Sequence, residues 1–247
     1  MRSPAIEAYN RAMIDISADL AEGSPGEEEI WPLVTSANVA CGGHVGDSES
    51  MAMASRAARH YGVILGAHPS YPDRENFGRK SLSMPREALR VSLLEQIGSL
   101  QFLAEHFDMD VKRVKPHGAL YNDAHRDRAL ADIIVDAIIE LSPRMAIVCS
   151  DRSEMAAAAR ARRIGVVREA FADRRYEPDG SLMSRGKPGS LLSVEEAIAQ
   201  AELLAREGVV ITADGSRLAV PFDTLCIHAD MEHALDRLKA IRARLGA

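Results

Sequence analysis

The sequence is poor in aromatic residues and cysteines, and both shortages limit what the protein can be. Aromatic residues make up 4% of the 247 residues, with a single Trp, so the core must be mainly aliphatic. Cys41, Cys149 and Cys226 are odd in number, far apart and without a Cys-x-x-Cys pair. This spacing argues against a disulfide framework or a thiolate zinc site. We therefore interpret Cys41 and Cys226 as small buried residues and not as nucleophiles.

Long apolar runs and an excess of basic residues are also lacking. No stretch approaches the roughly 20 apolar residues that a membrane-spanning helix needs, and residues 1–11 lack the apolar core of a secretory signal. The formal net charge of −6 offers no basic surface of the kind that binds nucleic acid. We therefore expect a cytoplasmic protein that acts on a small molecule and has no membrane or nucleic-acid partner.

No linker rich in Pro, Gly or Ser divides the chain, and no internal repeat is present. A chain of 247 residues has the length of a single β/α barrel. We predict one domain over residues 1–247. A small hairpin excursion is expected near residues 209–220, where Asp214-Gly215 separates two short apolar stretches.

Strand-like and helix-like patterns alternate along the chain. Leu89, Leu93 and Ile97 recur at helical spacing, and Ser193 with Glu196 is typical of a capping box. Alternation of this kind predicts a parallel sheet built of right-handed β/α units. Seven short apolar runs predict the strands, at residues 13–16, 32–41, 61–67, 111–115, 145–149, 164–170 and 224–228.

Polar side chains follow most of these runs. Ligands of parallel α/β proteins bind at the carboxyl ends of the strands, and four of the eight histidines fall at such ends. Lys115 and His117 lie two residues apart and so point to the same side of an extended chain. Such a set predicts a pocket for acid–base chemistry, in which Lys115 stabilises an oxyanion or binds a carboxylate. The other polar residues at the run ends are Asp15, Ser17, Asp19, Glu22, Asn38, His44, Asp47, His68, Glu169, Asp173, Arg174, His228 and Asp230.

Some of these residues also have a simpler structural explanation. Asp47 precedes a helical pattern, so it is as well suited to capping that helix as to binding a substrate. Asp230 has the same alternative before the last helix. We interpret His60, His106 and His125 as surface residues, because they lie in helical or loop contexts.

The spacing of residues in known motifs bears on two kinds of cofactor site, a metal site and an ATP site. His and Asp are ligands of Zn²⁺ and related ions, but the chain has no His-x-x-x-His or His-x-His pair, so no metal ligand is assigned and a divalent metal stays a secondary option. Neither a Gly-x-Ser-x-Gly elbow nor a Gly-rich loop followed by Lys-Ser/Thr is present. We therefore expect no Walker-type ATP site in this chain.

Several longer blocks carry a resemblance that extends from residue 14 to residue 245. They are Ser36-Ala37-Asn38-Val39-Ala40-Cys41-Gly42, His44 with Gly46-Asp47, Gly66-Ala67-His68-Pro69-Ser70-Tyr71-Pro72-Asp73, Phe77-Gly78-Arg79, Lys115-Pro116-His117-Gly118-Ala119-Leu120-Tyr121-Asn122, Glu169-Ala170-Phe171-Ala172-Asp173-Arg174-Arg175-Tyr176 and Cys226-Ile227-His228. In these blocks the chain resembles the LamB/YcsF family, the A subunits of bacterial 5-oxoprolinase. It departs from the usual pattern at Ser17, Ala21, Gly43, Lys80 and Ala229, where Ala21 and Ala229 replace glycines.

The resemblance implies a seven-stranded parallel β/α barrel of the glycoside hydrolase/deacetylase type. It also implies opening of the 5-oxoproline lactam to L-glutamate, performed with separate B and C subunits and with ATP as the co-substrate of the complex. A five-membered lactam is a poor acyl donor, so its amide needs activation, which ATP can provide. A pocket rich in acid–base groups but without a phosphate-binding loop suits the hydrolytic half of such a divided reaction. We predict catalytic roles for Asp19, His44, His68, Lys115, His117 and His228. Substrate contacts are predicted for Glu22, Asn38, Asp47, Arg79, Tyr121, Asn122, Glu169 and Arg174.

Two alternatives stay open at this point. The chain could be a metal-dependent amidase or deacetylase that works alone, which metal analysis of the purified protein would distinguish. It could also be a non-catalytic subunit that binds a small molecule; variants that lose activity but keep ligand affinity would argue against that. The oligomeric state, including a homo-oligomer, is not predicted by the sequence.

Overall fold

Seven parallel strands close into a barrel in the computed structural model, which describes residues 14–246. Neighbouring strands follow one another in the chain, and the last barrel strand pairs with the first, so the barrel has no open edge. The barrel strands are β1 (Asp15–Leu20), β2 (Ser36–Ala40), β3 (Ile64–His68), β4 (Arg113–Val114), β5 (Ala146–Cys149), β6 (Val166–Phe171) and β9 (Thr224–Cys226). The predicted fold class is confirmed. Met13 and residues 1–11 lie outside the described residues.

Helices cover the outside of the barrel, and the aliphatic core lies between the two layers. Leu65 of the barrel and Leu93 and Ile97 of a covering helix belong to the same buried apolar cluster. No helix within residues 14–246 combines the length and apolarity that crossing a bilayer needs. The helices are α1 (Ser48–Tyr61), α2 (Arg86–Glu105), α3 (Gly118–Arg126), α4 (Arg128–Leu141), α5 (Glu154–Ala161), α6 (Val194–Glu207) and α7 (Ala234–Leu245).

The strand bounds differ from those that the apolar runs predict. The run at 32–41 begins with a short 3-10 helix, Trp31–Leu33, and its strand starts only at Ser36. Pro32 explains part of this difference, because proline has no N–H to donate to a sheet. The run at 61–67 also starts too early, since Tyr61 is the last residue of α1. Apolar residues that end a helix and begin a strand cannot be separated by periodicity alone.

Two local predictions can be compared directly with the structure. Strands β7 (Val209–Ile211) and β8 (Arg217–Ala219) pair as an antiparallel hairpin outside the barrel, where Asp214-Gly215 predicted a turn. At the start of α6, the Ser193 hydroxyl accepts from the backbone N–H of Glu196 at 3.2 Å, and the Glu196 carboxylate accepts from the N–H of Ser193 at 2.9 Å. The capping box is therefore confirmed.

Polar side chains fill the inside of the barrel in layers. At its amino-terminal end, Asp15 Oδ2 on β1 accepts from Arg113 Nη1 on β4 at 2.8 Å. In the next layer, the Thr224 hydroxyl donates to Ser17 Oγ at 3.0 Å. Gly66 makes room for this packing, since a Cβ there would lie 2.7 Å from the Arg113 side chain. Asp15 and Ser17 therefore fill the barrel below the cavity. The prediction that these two residues lie at the polar end of the first strand was wrong, because β1 starts at Asp15 itself.

Candidate active site

A cavity of about 470 Å³ opens at the carboxyl ends of the barrel strands. Small-molecule sites in proteins commonly occupy about 300–1,000 Å³, so the volume suits a small ligand. Most residues of the predicted site line this one cavity. They are Asp19, Glu22, His68, Arg79, Lys115, His117, Tyr121, Asn122, Glu169, Arg174 and His228.

Lys115 lies on the cavity floor and joins three barrel strands. Its Nζ donates to Asp19 Oδ1 at 2.9 Å and lies 2.7 Å from Glu169 Oε1. Nζ also lies 3.2 Å from Sγ of Cys226. The Lys115 side chain is 3% exposed, so these contacts hold the ammonium in one position. The second oxygen of Glu169, Oε2, is buried and has no hydrogen-bond partner among the described residues.

The charges on the cavity floor stabilise one another. Burial alone would raise the pKa of Asp19, but His68 and Lys115 hold that pKa well below its ordinary value. Burial opposes the charge on Lys115, yet Asp19 and Glu169 raise its pKa well above the ordinary value. Lys115 is therefore an ammonium at neutral pH. Burial also raises the pKa of the Cys226 thiol well above its ordinary value, in keeping with a buried residue that is not a nucleophile.

Glu22, His44, His68 and His117 form a second group beside the cavity floor, which we call the histidine cluster. Glu22 Oε1 lies 2.9 Å from His44 Nε2 and 3.4 Å from His117 Nδ1. His68 Nε2 lies 3.0 Å from His117 Nδ1. One nitrogen or oxygen from each of the four residues lies within 4.8 Å of the other three. Among the residues that the structure describes, this set has the geometry to hold a metal ion.

Protonation differs among the three imidazoles. Burial lowers the pKa of His44 and of His117, and the neighbouring His68 lowers both further. His68 is equally buried, but the Asp19 carboxylate outweighs that burial and raises its pKa. Without a further ligand, His44 and His117 are therefore neutral at pH 7.

The turn from β4 into α3 positions His117. His117 is the N-cap residue of α3 and has an extended backbone. The next residue, Gly118, has φ +55°, and a Cβ there would lie 2.5 Å from the carbonyl oxygen of Gly78. Only glycine fits this close approach. The contact brings residues 77–78 against the imidazole, so that His117 Nε2 lies 3.0 Å from the carbonyl oxygen of Phe77.

A buried carboxylate orients His228 on the other side of the cavity. Asp173 Oδ1 accepts from His228 Nδ1 at 2.8 Å, and Oδ2 accepts from the backbone N–H of His228 at 2.7 Å. Burial opposes ionisation of Asp173, but these contacts with His228 lower its pKa to about 2. Because Nδ1 donates to this carboxylate, the neutral ring of His228 has its lone pair on Nε2. Nε2 is therefore the atom that can act as a base. Asp173 was not assigned to the site from sequence, although its place after β6 was a usable signal.

The mouth of the cavity is rich in arginine. Arg79 and Arg185 both contact the carboxylate of Asp230, with Arg185 Nη1 at 3.1 Å from Oδ2. Asp230 thus pairs with arginines and does not cap α7, whose N-cap residue is His233. Arg174 donates to a backbone carbonyl at 2.7 Å, while its buried Nε has no hydrogen-bond partner among the described residues. The mouth therefore suits an anionic ligand.

Three predicted residues lie outside the cavity wall. Asn38 lies behind it, where its Nδ2 donates to Asp19 Oδ1 at 2.9 Å, and His44 is buried behind Glu22. Asp47 is exposed and caps α1 by accepting from the N–H of Ser50 at 2.9 Å. The carboxylate is used by the helix and lies outside the cavity, so the substrate contact of Asp47 stays a prediction that the structure does not support.

The remaining side chains at the mouth are of two kinds. Tyr121 is buried, and its hydroxyl accepts from the N–H of Ser150 at 3.0 Å, whereas Asn122 is exposed. His60 and His106 are exposed as expected. His125 was also expected at the surface, but it is half-buried and lines the cavity, because α3 begins at the cavity and runs along its wall.

Comparison with known proteins gives a consistent result over nearly the whole chain. The model of the LamB/YcsF family matches residues 14–247. Two proteins from Neisseria meningitidis serogroups A and B, each named as the A subunit of 5-oxoprolinase, are 42% identical to it over 233 residues, which is 94% of this chain and 95% of each relative.

Solved structures agree with the sequence matches. A lactam utilization protein from Thermus thermophilus has a TM-score of 0.87 and 38% identity, covering 94% of this chain and 96% of that one. A protein from Enterococcus faecalis V583, named for cellobiose-phosphate cleavage, has a TM-score of 0.50 at 11% identity and shares the fold alone. The extent of the family match and the identity to these relatives show that the chain belongs to the LamB/YcsF family.

Proposed function

We propose that this chain is the A subunit of an ATP-dependent 5-oxoprolinase, the hydrolase complex that opens the 5-oxoproline lactam to L-glutamate. Family membership and the name of the 42% identical relatives support the proposal. The observation that carries it is a single cavity in which a buried ammonium, an imidazole held by a carboxylate and a cationic mouth lie together. We place the reaction in the cytoplasm, where ATP is supplied.

The polar groups of the cavity match the groups of 5-oxoproline. The substrate has a carboxylate, for which Arg174 and Arg185 at the mouth offer guanidinium donors. It also has a lactam N–H, for which the unpaired Glu169 Oε2 is an acceptor. A buried polar atom without a partner is costly. Binding this substrate would therefore satisfy groups that the protein alone leaves unpaired.

Two side chains have the properties that hydrolysis needs. Lys115 carries a buried positive charge that can stabilise the developing charge on the lactam oxygen. His228 is held by Asp173, and its Nε2 has no hydrogen-bond partner within residues 14–246, so it can accept the proton of an attacking water. We assign Lys115 to oxyanion stabilisation and His228 to general-base catalysis.

Activation by ATP is assigned to the assembled complex. The sequence has no phosphate-binding loop of the Walker type, yet an unactivated lactam is a poor acyl donor. We therefore propose that B and C subunits are the partners of this chain and that ATP is a co-substrate of the complex. The subunit designation in the relatives' name supports the existence of further subunits.

The test is release of glutamate from 5-oxoproline and ATP, measured with this chain, the B and C subunits together, and each combination lacking one component. We expect turnover only from the complete mixture. Replacing His228 by Gln or His117 by Ala should lower turnover by about two to four powers of ten while size-exclusion chromatography still shows assembly. The exposed His106→Ala variant is the matched control and should keep full turnover.

Two results would contradict the proposal. One is hydrolysis by the lone chain without ATP at the rate of the complete mixture. The other is full turnover by a complex that carries His228→Gln. Equilibrium binding of 5-oxoproline to the same variants separates a catalytic role from a binding role, because loss of turnover with unchanged affinity excludes a protein that only binds the substrate.

A further inference from the structure

Two imidazoles of the histidine cluster have their hydrogen positions determined by backbone carbonyls. His68 Nδ1 lies 2.8 Å from the carbonyl oxygen of Lys115. His117 Nε2 lies 3.0 Å from the carbonyl oxygen of Phe77. A carbonyl oxygen can only accept a hydrogen bond, so each of these two nitrogens carries the hydrogen.

The opposite nitrogens of the same rings, His68 Nε2 and His117 Nδ1, face each other at 3.0 Å. A neutral imidazole has one N–H, so His117 Nδ1 is an acceptor, and His68 Nε2 is one as well unless it carries a second hydrogen, which Asp19 Oδ2 can accept at 3.3 Å. Glu22 Oε1, a third acceptor, lies 3.8 Å from His68 Nε2 and 3.4 Å from His117 Nδ1. Three electron-rich atoms at this separation repel one another unless a positive group lies among them: a proton on His68 Nε2 beside Asp19 in the chain alone, or a metal ion that displaces this proton.

His44 completes the set from the buried side. Its Nε2 lies 2.9 Å from the same Glu22 oxygen, and its ring stacks on that of His117 with the centroids 3.7 Å apart. Zn²⁺ sites have bonds of about 2.0–2.1 Å to nitrogen and are tetrahedral, which puts neighbouring ligand atoms about 3.4 Å apart. The three separations from Glu22 and the one between His68 and His117 are 2.9–3.8 Å and lie around that value, and all four ligand atoms lie within 4.8 Å of one another.

We propose that the histidine cluster binds one divalent transition-metal ion of the Zn²⁺ class, through Nε2 of His44, Nε2 of His68, Nδ1 of His117 and the carboxylate of Glu22. Three imidazoles and one carboxylate are ligands that such ions select. A ligating His usually donates its other N–H to a carbonyl or carboxylate, and His68 and His117 both do so. The proposal does not depend on 5-oxoproline as the substrate.

The ion would face the ligand that the cavity holds. Glu22, His68 and His117 line the cavity, so a water or a substrate oxygen could reach the ion from there as a fifth ligand. An ion at this place can polarise a carbonyl group or lower the pKa of a bound water. Next to the cluster, the carboxyl groups of Asp19 and Glu169 share the single ammonium of Lys115, and a dication would offset the remaining negative charge.

The test measures metal binding without any assay of turnover. The full chain is freed of metal with a chelator and titrated with Zn²⁺ against a chromogenic competitor, and the metal content is measured by mass spectrometry. We expect one ion per chain. Glu22→Gln and His117→Gln should each weaken Zn²⁺ binding more than tenfold, since loss of an outer-shell partner alone costs about 10–100-fold. His125→Gln, which alters a cavity histidine outside the cluster, should bind as the unaltered chain does.

A second measurement covers the case in which a variant does not fold. Co²⁺ added to the unaltered chain and to His125→Gln should give the visible absorption bands of a four-coordinate ion, and Zn²⁺ should remove them by displacement. Zn²⁺ should also raise the unfolding temperature of both proteins. The proposal is overturned if the unaltered chain binds no stoichiometric metal and gives no such bands, or if the folded Glu22→Gln and His117→Gln variants bind Zn²⁺ as tightly as it does.

Discussion

At the scale of single residues, Lys115 is the cation that two buried carboxylates share. Replacing it by Met keeps most of the volume but leaves Asp19 and Glu169 without the ammonium that both contact. Breaking a buried ion pair from one side costs about 3–5 kcal/mol. We expect Lys115→Met to lose about 3 kcal/mol of unfolding free energy in urea denaturation. Lys112→Met removes an exposed lysine that pairs with Asp110 at the surface and should change little; equal losses in the two variants would contradict this account.

Asp173 gives the protein a defined acid sensitivity. Its pKa of about 2 in the folded chain lies below the ordinary value of 3.8, so the folded state binds this proton less readily than the unfolded state does. The stabilisation, about 2 kcal/mol, is fully present above pH 4 and is lost as the pH falls through 2. We expect Asp173→Asn to lack this part of the acid profile in denaturation curves collected between about pH 5 and 2. An Asp110→Asn surface variant should retain the profile, and an unchanged profile in Asp173→Asn would show that His228 is not held as described.

Ala21 occupies a backbone conformation that favours glycine. Its φ is +61°, and an L-residue other than glycine pays about 1–2 kcal/mol there. Glycine in turn loses more entropy on folding. We therefore expect Ala21→Gly to stabilise the chain by about 0.5–1 kcal/mol in thermal unfolding. Ala52→Gly, in the middle of α1, is the opposite control and should destabilise by about 1 kcal/mol. Destabilisation by Ala21→Gly would mean that the alanine side chain contributes packing that outweighs the strain.

At the scale of elements, the first turn of α1 depends on Asp47. The carboxylate and Ser50 form a reciprocal cap, and loss of such a cap in a domain of this size lowers the unfolding midpoint by about 2–4 °C. We expect Asp47→Ala to show this shift in differential scanning calorimetry and to leave the affinity of the cavity for its ligand unchanged. A weaker ligand affinity without a shift of the unfolding midpoint would instead support the substrate contact of Asp47 that was predicted from sequence.

The sequence predicted which helices and strands exist better than it predicted the residues at which they begin and end. The spacing of Leu89, Leu93 and Ile97 predicted α2, all three are buried, and the capping box at Ser193 was confirmed. The first strand was misread because Asp15 interrupts its apolar pattern. Its partner is Arg113, 98 residues away, and no local pattern reveals such a distant counter-charge.

The site was predictable to the extent that its residues follow strands. His68, Lys115 and His228 could be assigned because each lies at a strand end, where parallel folds bind ligands. The geometry of the histidine cluster could not be predicted, since its members follow different strands and share no spacing motif. Which nitrogens of the two imidazoles face each other depends on the carbonyls they contact, such as that of Phe77, and these contacts exist only in the folded chain.

At the scale of the whole molecule, alternation of strand and helix was sufficient to predict a parallel β/α architecture, because right-handed crossovers leave few other arrangements. Closure into seven strands came from the family resemblance and agrees with the pairing of β9 with both β1 and β6. The organisation of residues 1–247 as one domain stays a prediction. So does the identity of the subunits that contact this chain.

The pairing of β1 with β9 also has a consequence during protein synthesis. Thr224 and Ser17 are hydrogen-bonded although 207 residues separate them in the chain. At about 5–20 residues per second, a ribosome needs roughly 10–40 s to make the intervening segment. Throughout that time β1 has an unpaired edge open to other chains, and His228 has not yet been made. Interrupted synthesis would therefore yield chains that are both inactive and prone to aggregate. Synthesis of β9 and His228 covers the edge of β1 and completes the site in the same step.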